Sequence, residues 1–289
     1  MTRKIALGTA QFGIPYGVAN HVGKISEQDV KVILSTAAHQ GVDTLDTAAA
    51  YGDSEVVLGA AHVESWKIVT KVPAIPEDFN DGQAWVESEL RKSLSKLKVS
   101  SVYGLLLHSP NQLFDSRGVG LLSGLIKLKE EGLVSKIGVS IYSTQDLPGL
   151  FQLYDFDIVQ APFNPVDCRL LESGWAKRLH ERGVELHVRS IFLQGLLLMS
   201  ANDRPSRFSI FNNLWAQWDE WLRLNNISAL EACIRFAHTC KYIDKLIVGI
   251  DSLNQFNEIL SVSSDSLIEI PSFGEVDPRL LNPSLWSTL

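Results

Sequence analysis

The sequence predicts a single-domain (β/α)8 TIM barrel, eight parallel strands closed on themselves inside a ring of helices. Three observations carry this. Short apolar runs alternate with longer amphipathic ones, and the alternation repeats eight times. Three helical stretches end in a glycine just before a strand, in Gly41-Val42-Asp43-Thr44, Gly132-Leu133-Val134-Ser135-Lys136 and Gly183-Val184-Glu185, where a left-handed residue commonly closes a helix. The chain has 289 residues, which suits eight βα units in one closed barrel. An open doubly wound sheet would want a GxGxxG turn after its first strand, and Gly8-Thr9-Ala10-Gln11-Phe12-Gly13 lacks that spacing.

The elements follow in order. The run 4–7 is the first strand, and 26–40 is its helix, opened by Ser26 with Asp29 three residues on, a capping-box-like start. The second strand is 44–46 with helix 54–61, the third 67–70 with helix 82–97, and the fourth 102–107 with helix 121–131. The fifth strand is 136–139 with helix 144–154, and the sixth 158–160 with helix 170–182. The seventh strand, 185–188, precedes a helical insertion at about 201–226 and then helix 228–239; the eighth, 245–248, precedes helix 253–261. Residues 1–289 thus read as one domain. In the insertion Trp215, Trp218 and Trp221 stand at near-helical spacing. They fit a surface helix packing on the barrel, or a wall of the binding site, since loops at strand C-termini line the pocket of this fold.

Composition excludes several classes. Hydrophobic residues are 45% and charged residues 20%, a globular balance rather than a disordered one. The net charge is −7, whereas a nucleic-acid binder needs a basic face for the phosphates. The longest basic stretch, Arg91-Lys92 with Lys96 and Lys98, is diluted by Glu87 and Glu89 and reads as a solvated helix face. Cys168, Cys233 and Cys240 are odd in number and show no CxxC or metal spacing, so neither a disulfide framework nor a metal site is expected, and a reducing, cytoplasmic compartment is. After Met1-Thr2-Arg3-Lys4 the apolar run is too short for a signal peptide. No stretch reaches the ~18 apolar residues of a membrane span.

In a barrel, chemistry sits at the C-terminal ends of the strands, so polar residues that end apolar runs are the candidates. Asp46 closes the second strand, and Tyr51 follows five residues later. Lys71 ends the third in Ile68-Val69-Thr70-Lys71, and His108 ends the fourth in Leu105-Leu106-Leu107-His108. Singly, each has an ordinary alternative: a helix-capping Asp, a packing Tyr, a solvated Lys, a satisfied core His.

Together they resemble the aldo-keto reductase superfamily, whose tetrad is Asp, Tyr, Lys and His in this order on these strands. The segment Asp46-Thr47-Ala48-x-x-Tyr51-Gly52, with Ser54-Glu55 and Leu58-Gly59, is similar to the family's D-x-A-x-x-Y-G-x-E signature. The likeness continues through Ile137-Gly138-Val139-Ser140 and Val159-Gln160 to the eighth strand. It implies an oxidoreductase that reduces an aldehyde or ketone with a nicotinamide cofactor. A phenol with a pKa of about 10 gives up its proton poorly. The resemblance therefore gives Lys71 the task of lowering the Tyr51 pKa, Asp46 that of pairing Lys71, and His108 that of orienting the carbonyl oxygen. In alcohol oxidation Tyr51 would be the base.

The resemblance also implies the cofactor contacts. Ser140 and Gln160 match the residues that hold the carboxamide, although Ile141 stands where the family has Asn. In Arg189-Ser190-Ile191-Phe192-Leu193-Gln194-Gly195, Ser190 and Gly195 match the pyrophosphate loop, and Arg189 replaces the ring that stacks on nicotinamide. A guanidinium is planar and can stack, or it can pair with an anionic group of the substrate. After the eighth strand, Gly249, Gln255 and Glu258 fit the adenosine-binding pattern, while Asp251 stands where a basic residue often meets a 2′-phosphate. Thr9, at the end of the first strand, completes the set. NADP(H), the family's default, is the first expectation; the acidic Asp251 makes NAD(H) the second.

Leu7-Gly8-Thr9-Ala10-Gln11-Phe12-Gly13-x-x-Tyr16-Gly17 resembles a bacterial branch linked in part to sugar metabolism, which implies a sugar or a nucleotide-linked keto sugar as substrate. Two other readings stay open: a cofactor-binding regulatory subunit on the same barrel, and an aldolase with Lys71 as Schiff base. A monomer is expected, with a dimer left open.

Overall fold

The computed structural model describes residues 4–262 and 268–289; residues 1–3, the head of the run read above for a leader, lie outside the described residues. Strands β1 (Ile5–Gly8), β2 (Thr44–Asp46), β3 (Lys67–Val72), β4 (Val102–Leu107), β5 (Val134–Ser140), β6 (Ile158–Pro162), β7 (Glu185–Arg189) and β8 (Lys245–Gly249) pair in chain order, and β8 closes on β1. Every ladder is parallel: Leu7, for instance, faces Leu45 on one side and Val248 on the other. This is the (β/α)8 barrel that the alternation predicts. Its strands are covered inside and out, and most of their residues are apolar.

Side chains alternate between two cores, as the period of two requires. Those pointing outward, such as Leu45, Ile68, Leu105, Leu107, Ile137 and Val159, pack under the helices in one continuous cluster. Those pointing inward form a second, smaller cluster of Val69, Leu106 and Ile158, with Tyr103 against it. At the N-terminal end of the barrel Glu185 accepts from Tyr103 Oη at 2.6 Å and from Lys136 Nζ at 2.7 Å. Burial raises that carboxyl's pKa, but bonds from His187, Lys136 and Tyr103 outweigh it and hold the group at about 2.

The covering helices are α1 (Glu27–His39), α2 (Ser54–Ala60), α3 (Gly82–Leu97), α4 (Gly118–Glu130), α5 (Leu147–Leu153), α6 (Trp175–Glu181), α7 (Ala229–Thr239) and α8 (Leu253–Ser261). Ser26 caps α1 by accepting from the Asp29 amide at 3.1 Å, and Gly41, Gly132 and Gly183 all have positive φ at the ends where they were expected. Two helices are shorter than their patterns. The stretch 170–182 is split at Gly174, which takes φ 72° between Arg169–Glu172 and α6. The stretch 144–154 begins as a 3-10 turn, Thr144–Asp146, before Pro148 enters the first turn of α5, where its missing N–H costs nothing.

Within 201–226 the chain forms a 3-10 turn, Ser206–Phe211, and a helix, Asn212–Asn225. Trp215 and Trp218 are buried, donating their indole N–H groups to Phe208 O and Leu197 O at 3.0 Å. Trp221 stacks on Trp218 with centroids 5.7 Å apart. These rings anchor the helix to the loop after β7. Among the described residues, no helix is long and apolar enough to cross a membrane.

Candidate active site

The inward phase of the strands builds the site. One step beyond the plug of Val69, Leu106 and Ile158, the same phase carries Lys71, His108 and Gln160 at the C-terminal end of the barrel. Asp46 joins them from the end of β2. Lys71 Nζ donates to Asp46 Oδ1 at 2.6 Å and to Thr47 O at 2.9 Å, with its side chain 0% exposed. Gln160 Nε2 donates to the other carboxylate oxygen, Asp46 Oδ2, at 2.6 Å. Asp46 is thus held on both oxygens.

Tyr51 lies on the loop between β2 and α2, with its ring 5.1 Å from Lys71 Nζ. The His108 ring meets it edge to face, centroids 6.1 Å apart. The short helix Ala10–Gly13 after β1 sets the height of that loop. A β-carbon at Gly13 would sit 1.8 Å from Tyr51 O and 2.4 Å from Ser54 N, so only glycine lets the tyrosine backbone approach. Ser54 locks the contact by donating to Thr9 O and Thr9 Oγ1 at 2.9 and 2.8 Å. Glu55 is buried and accepts from Thr70 at 2.8 Å. Ser54 and Glu55 therefore hold the frame behind Tyr51. In the sequence Gly13 stands only inside two motifs; what makes it matter is its contact with the Tyr51 backbone, which no local pattern contains.

The electrostatics differ from the expectation in one respect. Burial first, and then the charge of Asp46, raise the Tyr51 pKa above its ordinary 10. Lys71 does not draw the phenol down, because its charge is neutralised by Asp46 at 2.6 Å. Burial likewise lowers the Lys71 pKa, against the opposing pull of Asp46. His108 is held down to about 4, by burial and then by the charges of Lys71 and Arg189. The site thus presents a protonated phenol beside a neutral imidazole.

Tyr51, His108 and Asp46 line one end of a cavity of about 680 Å³, a size that suits a small-molecule or cofactor site. The cavity continues past Thr9, Arg189, Ser190 and Gly195 to Gly249, Asp251, Gln255 and Glu258. Ser140 and Gln160 do not line it. Both are buried behind the wall, where Gln160 serves Asp46 and Ser140 approaches Gln160 Oε1 at 3.4 Å. Lys71 is also behind the wall.

Residues that the sequence did not mark as site candidates help close the cavity. Tyr16 lines it and accepts from Gln194 Nε2 at 3.1 Å. Asn20 donates to Asp251 Oδ1 at 3.0 Å, so the loop after β1 reaches the loop after β8. Gln11 lies over Gly249, whose missing side chain makes room for it. Tyr142 stacks under Arg189, 4.3 Å from ring centroid to guanidinium carbon. These contacts join residues far apart in the chain, so no local pattern announces them.

A family model described as Aldo/keto reductase family matches residues 4–277. Among curated proteins, an aldo-keto reductase of Mycolicibacterium smegmatis is 32% identical over 141 residues, 47% of this chain and 48% of that one. A methylglyoxal reductase of Salmonella typhimurium is 34% identical over 134 residues, 45% of this chain and 46% of that one. The chain spans about half the length of the curated relatives it matches. Two solved structures share the fold: an aldo-keto reductase from Bacillus halodurans (TM-score 0.70, 16% identity, 92% of this chain and 88% of that one), and a glycerol dehydrogenase from Gluconobacter oxydans (TM-score 0.69, 20% identity, 92% and 88%).

Proposed function

The chain belongs to the Aldo/keto reductase family, and from that premise we propose that it reduces a small aldehyde or ketone to an alcohol with a nicotinamide cofactor, Tyr51 giving the proton. The observation that carries this is the convergence of Asp46, Tyr51, Lys71 and His108 at one end of a cavity long enough to continue to Glu258. Reduced nicotinamide supplies the hydride in such a reaction. Tyr51 is the acid: its phenol is protonated at neutral pH, and a developing alkoxide is a strong enough base to take that proton despite the raised pKa. His108, neutral, donates one ring N–H to orient the carbonyl oxygen. Lys71 and Asp46 form the buried pair beneath the tyrosine ring, and Gln160 is proposed to position Asp46.

Thr9, Ser190, Gly195, Gly249, Gln255 and Glu258 are the residues proposed to hold the cofactor, with Ser140 supporting the wall from behind. An aldolase reading finds no support, because a Schiff base needs the lysine nitrogen free and open to the cavity. Lys71 Nζ is buried and bonded to Asp46 and Thr47.

Among the described residues lining the cavity, Arg189 is the sole lysine or arginine, and the far end carries Asp251 and Glu258. We therefore favour NAD(H) over NADP(H): a 2′-phosphate would meet carboxylates there, and no cation. Calorimetric titration is expected to give NADH the tighter Kd by about tenfold, or 1.4 kcal/mol. Tighter NADPH would reverse the choice of cofactor, and no binding of either would remove the reductase reading.

The pKa directions fix a pH profile. His108 takes its proton only as pH falls through about 4, well below the ordinary 6.5, and Tyr51 keeps its proton past its ordinary 10. The reductive kcat/KM is accordingly expected to be flat from about pH 5 to about pH 9. A step near 6.5 would show His108 titrating like an exposed imidazole and would contradict the buried, neutral role.

A further inference from the structure

Arg189 ends β7 and faces the cavity. It stacks on the Tyr142 ring and donates to Ile141 O at 3.0 Å and to Ser190 Oγ at 3.2 Å. Those bonds use two of the five N–H donors of a guanidinium. The other three have no acceptor, and no carboxylate pairs with Arg189, among the described residues. The nearby charges are already balanced: Lys71 is paired with Asp46, and His108 is neutral at physiological pH. This end of the cavity therefore carries one half-buried, uncompensated positive charge. It is close enough to act on Tyr51, Lys71 and His108 alike.

A half-buried cation without a counter-ion is a costly arrangement that a bound anion relieves. Stacking on Tyr142 fixes the guanidinium plane, and a fixed planar fork suits the two oxygens of a carboxylate better than a mobile ammonium would. Tyr16 stands on the same cavity wall; its oxygen accepts from Gln194, which leaves its own O–H as a further donor. We propose that Arg189, held by Tyr142, is the receptor for a carboxylate on the substrate, so that the preferred substrates are oxo acids rather than neutral carbonyl compounds. The proposal rests on the reductase reading above. In the reaction the carbonyl carbon gains a hydride, two electrons, from the reduced nicotinamide. The carbonyl oxygen gains the Tyr51 proton, which solvent restores, and the carboxylate emerges unchanged on the hydroxy acid.

The same cation could serve the cofactor's phosphates, and the test separates the two anions. Wild-type and Arg189→Met enzymes are compared on two matched pairs: para-carboxybenzaldehyde with para-nitrobenzaldehyde, and phenylglyoxylate with its methyl ester. The wild type is expected to favour the carboxylate member in kcat/KM by roughly tenfold to a hundredfold, the worth of one charge-assisted pair. In Arg189→Met that ratio falls to near one, and the carboxylate loses through KM. Arg189→Lys, which keeps the charge without the fork, retains part of the preference, a result that misfolding would not give. Independently, calorimetry on cofactor-saturated protein is expected to detect benzoate binding in the wild type and none in Arg189→Met.

A wild-type ratio near one in both pairs overturns the proposal. So does an unchanged ratio in Arg189→Met accompanied by weaker cofactor binding, which would assign the cation to the phosphates. If no carbonyl compound is turned over at all, the reductase reading fails. Benzoate binding that depends on Arg189 would then still support the receptor, and its absence would overturn that as well.

Discussion

Tyr51→Phe is expected to lower the rate of carbonyl reduction by about 10²–10⁴, the usual worth of a positioned general acid, with cofactor affinity essentially unchanged. The substitution removes a single oxygen. The edge-to-face contact with His108 and the approach of Lys71 to the ring depend on the aromatic ring and survive in phenylalanine. The hydroxyl makes no hydrogen bond among the described residues, so its loss leaves no protein group unpaired and little stability is at stake. Steady-state kinetics beside a calorimetric cofactor titration separate the two effects. A kcat within about threefold of wild type would remove Tyr51 as the acid.

Lys71→Met should cost both activity and stability. Asp46 and Lys71 are almost fully buried, and their bond is 2.6 Å long. Removing one member leaves the other as an uncompensated charge, which costs about 3–5 kcal/mol. A urea midpoint should fall accordingly, and reductase turnover should fall with it. The double variant Lys71→Met/Asp46→Asn no longer buries a lone charge, and its side-chain oxygen can still accept from Gln160. It is expected to recover most of the stability and none of the rate. Lys71→Met with wild-type stability would mean that the pair is solvated. Full activity in the double variant would detach it from the chemistry.

The barrel was legible because each of its strands is a short apolar run and each is followed by a helix that ends on a polar or glycine signal. His108 was legible because it is the first polar residue after Leu105-Leu106-Leu107, whereas Asp46 and Lys71 close runs that already hold Thr44 and Thr70 and stood out by their place at the strand ends beside the Tyr51 motif. What the local pattern does not contain is the contact across the barrel. That Gln160 also donates to Asp46 shows only once the closed sheet brings the two together. The Arg189–Tyr142 stack needs β5, β6 and β7 side by side. Gly13 matters only because the Tyr51 loop folds down onto it. The expected effect of Lys71 on Tyr51 fails for a related reason. A lysine in a sequence has a full charge, whereas this one shares its charge with a carboxylate, in a place where burial outweighs both. The break in helix 170–182 is a milder case: Gly174 sits inside an otherwise helical pattern, and its left-handed conformation, not the pattern, decides where α6 starts.

The central claim is that the Tyr51 end of the cavity passes a proton to a carbonyl compound as the hydride arrives. It is tested most directly by a single turnover. Wild-type protein loaded with NADH is mixed rapidly with excess para-carboxybenzaldehyde while the absorbance of reduced nicotinamide is followed and the alcohol is quantified. The account predicts loss of that absorbance, with one alcohol formed per cofactor oxidised, and near-complete suppression in Tyr51→Phe. Cofactor that binds by calorimetry yet keeps its absorbance, with this aldehyde and with its neutral nitro counterpart, would contradict it.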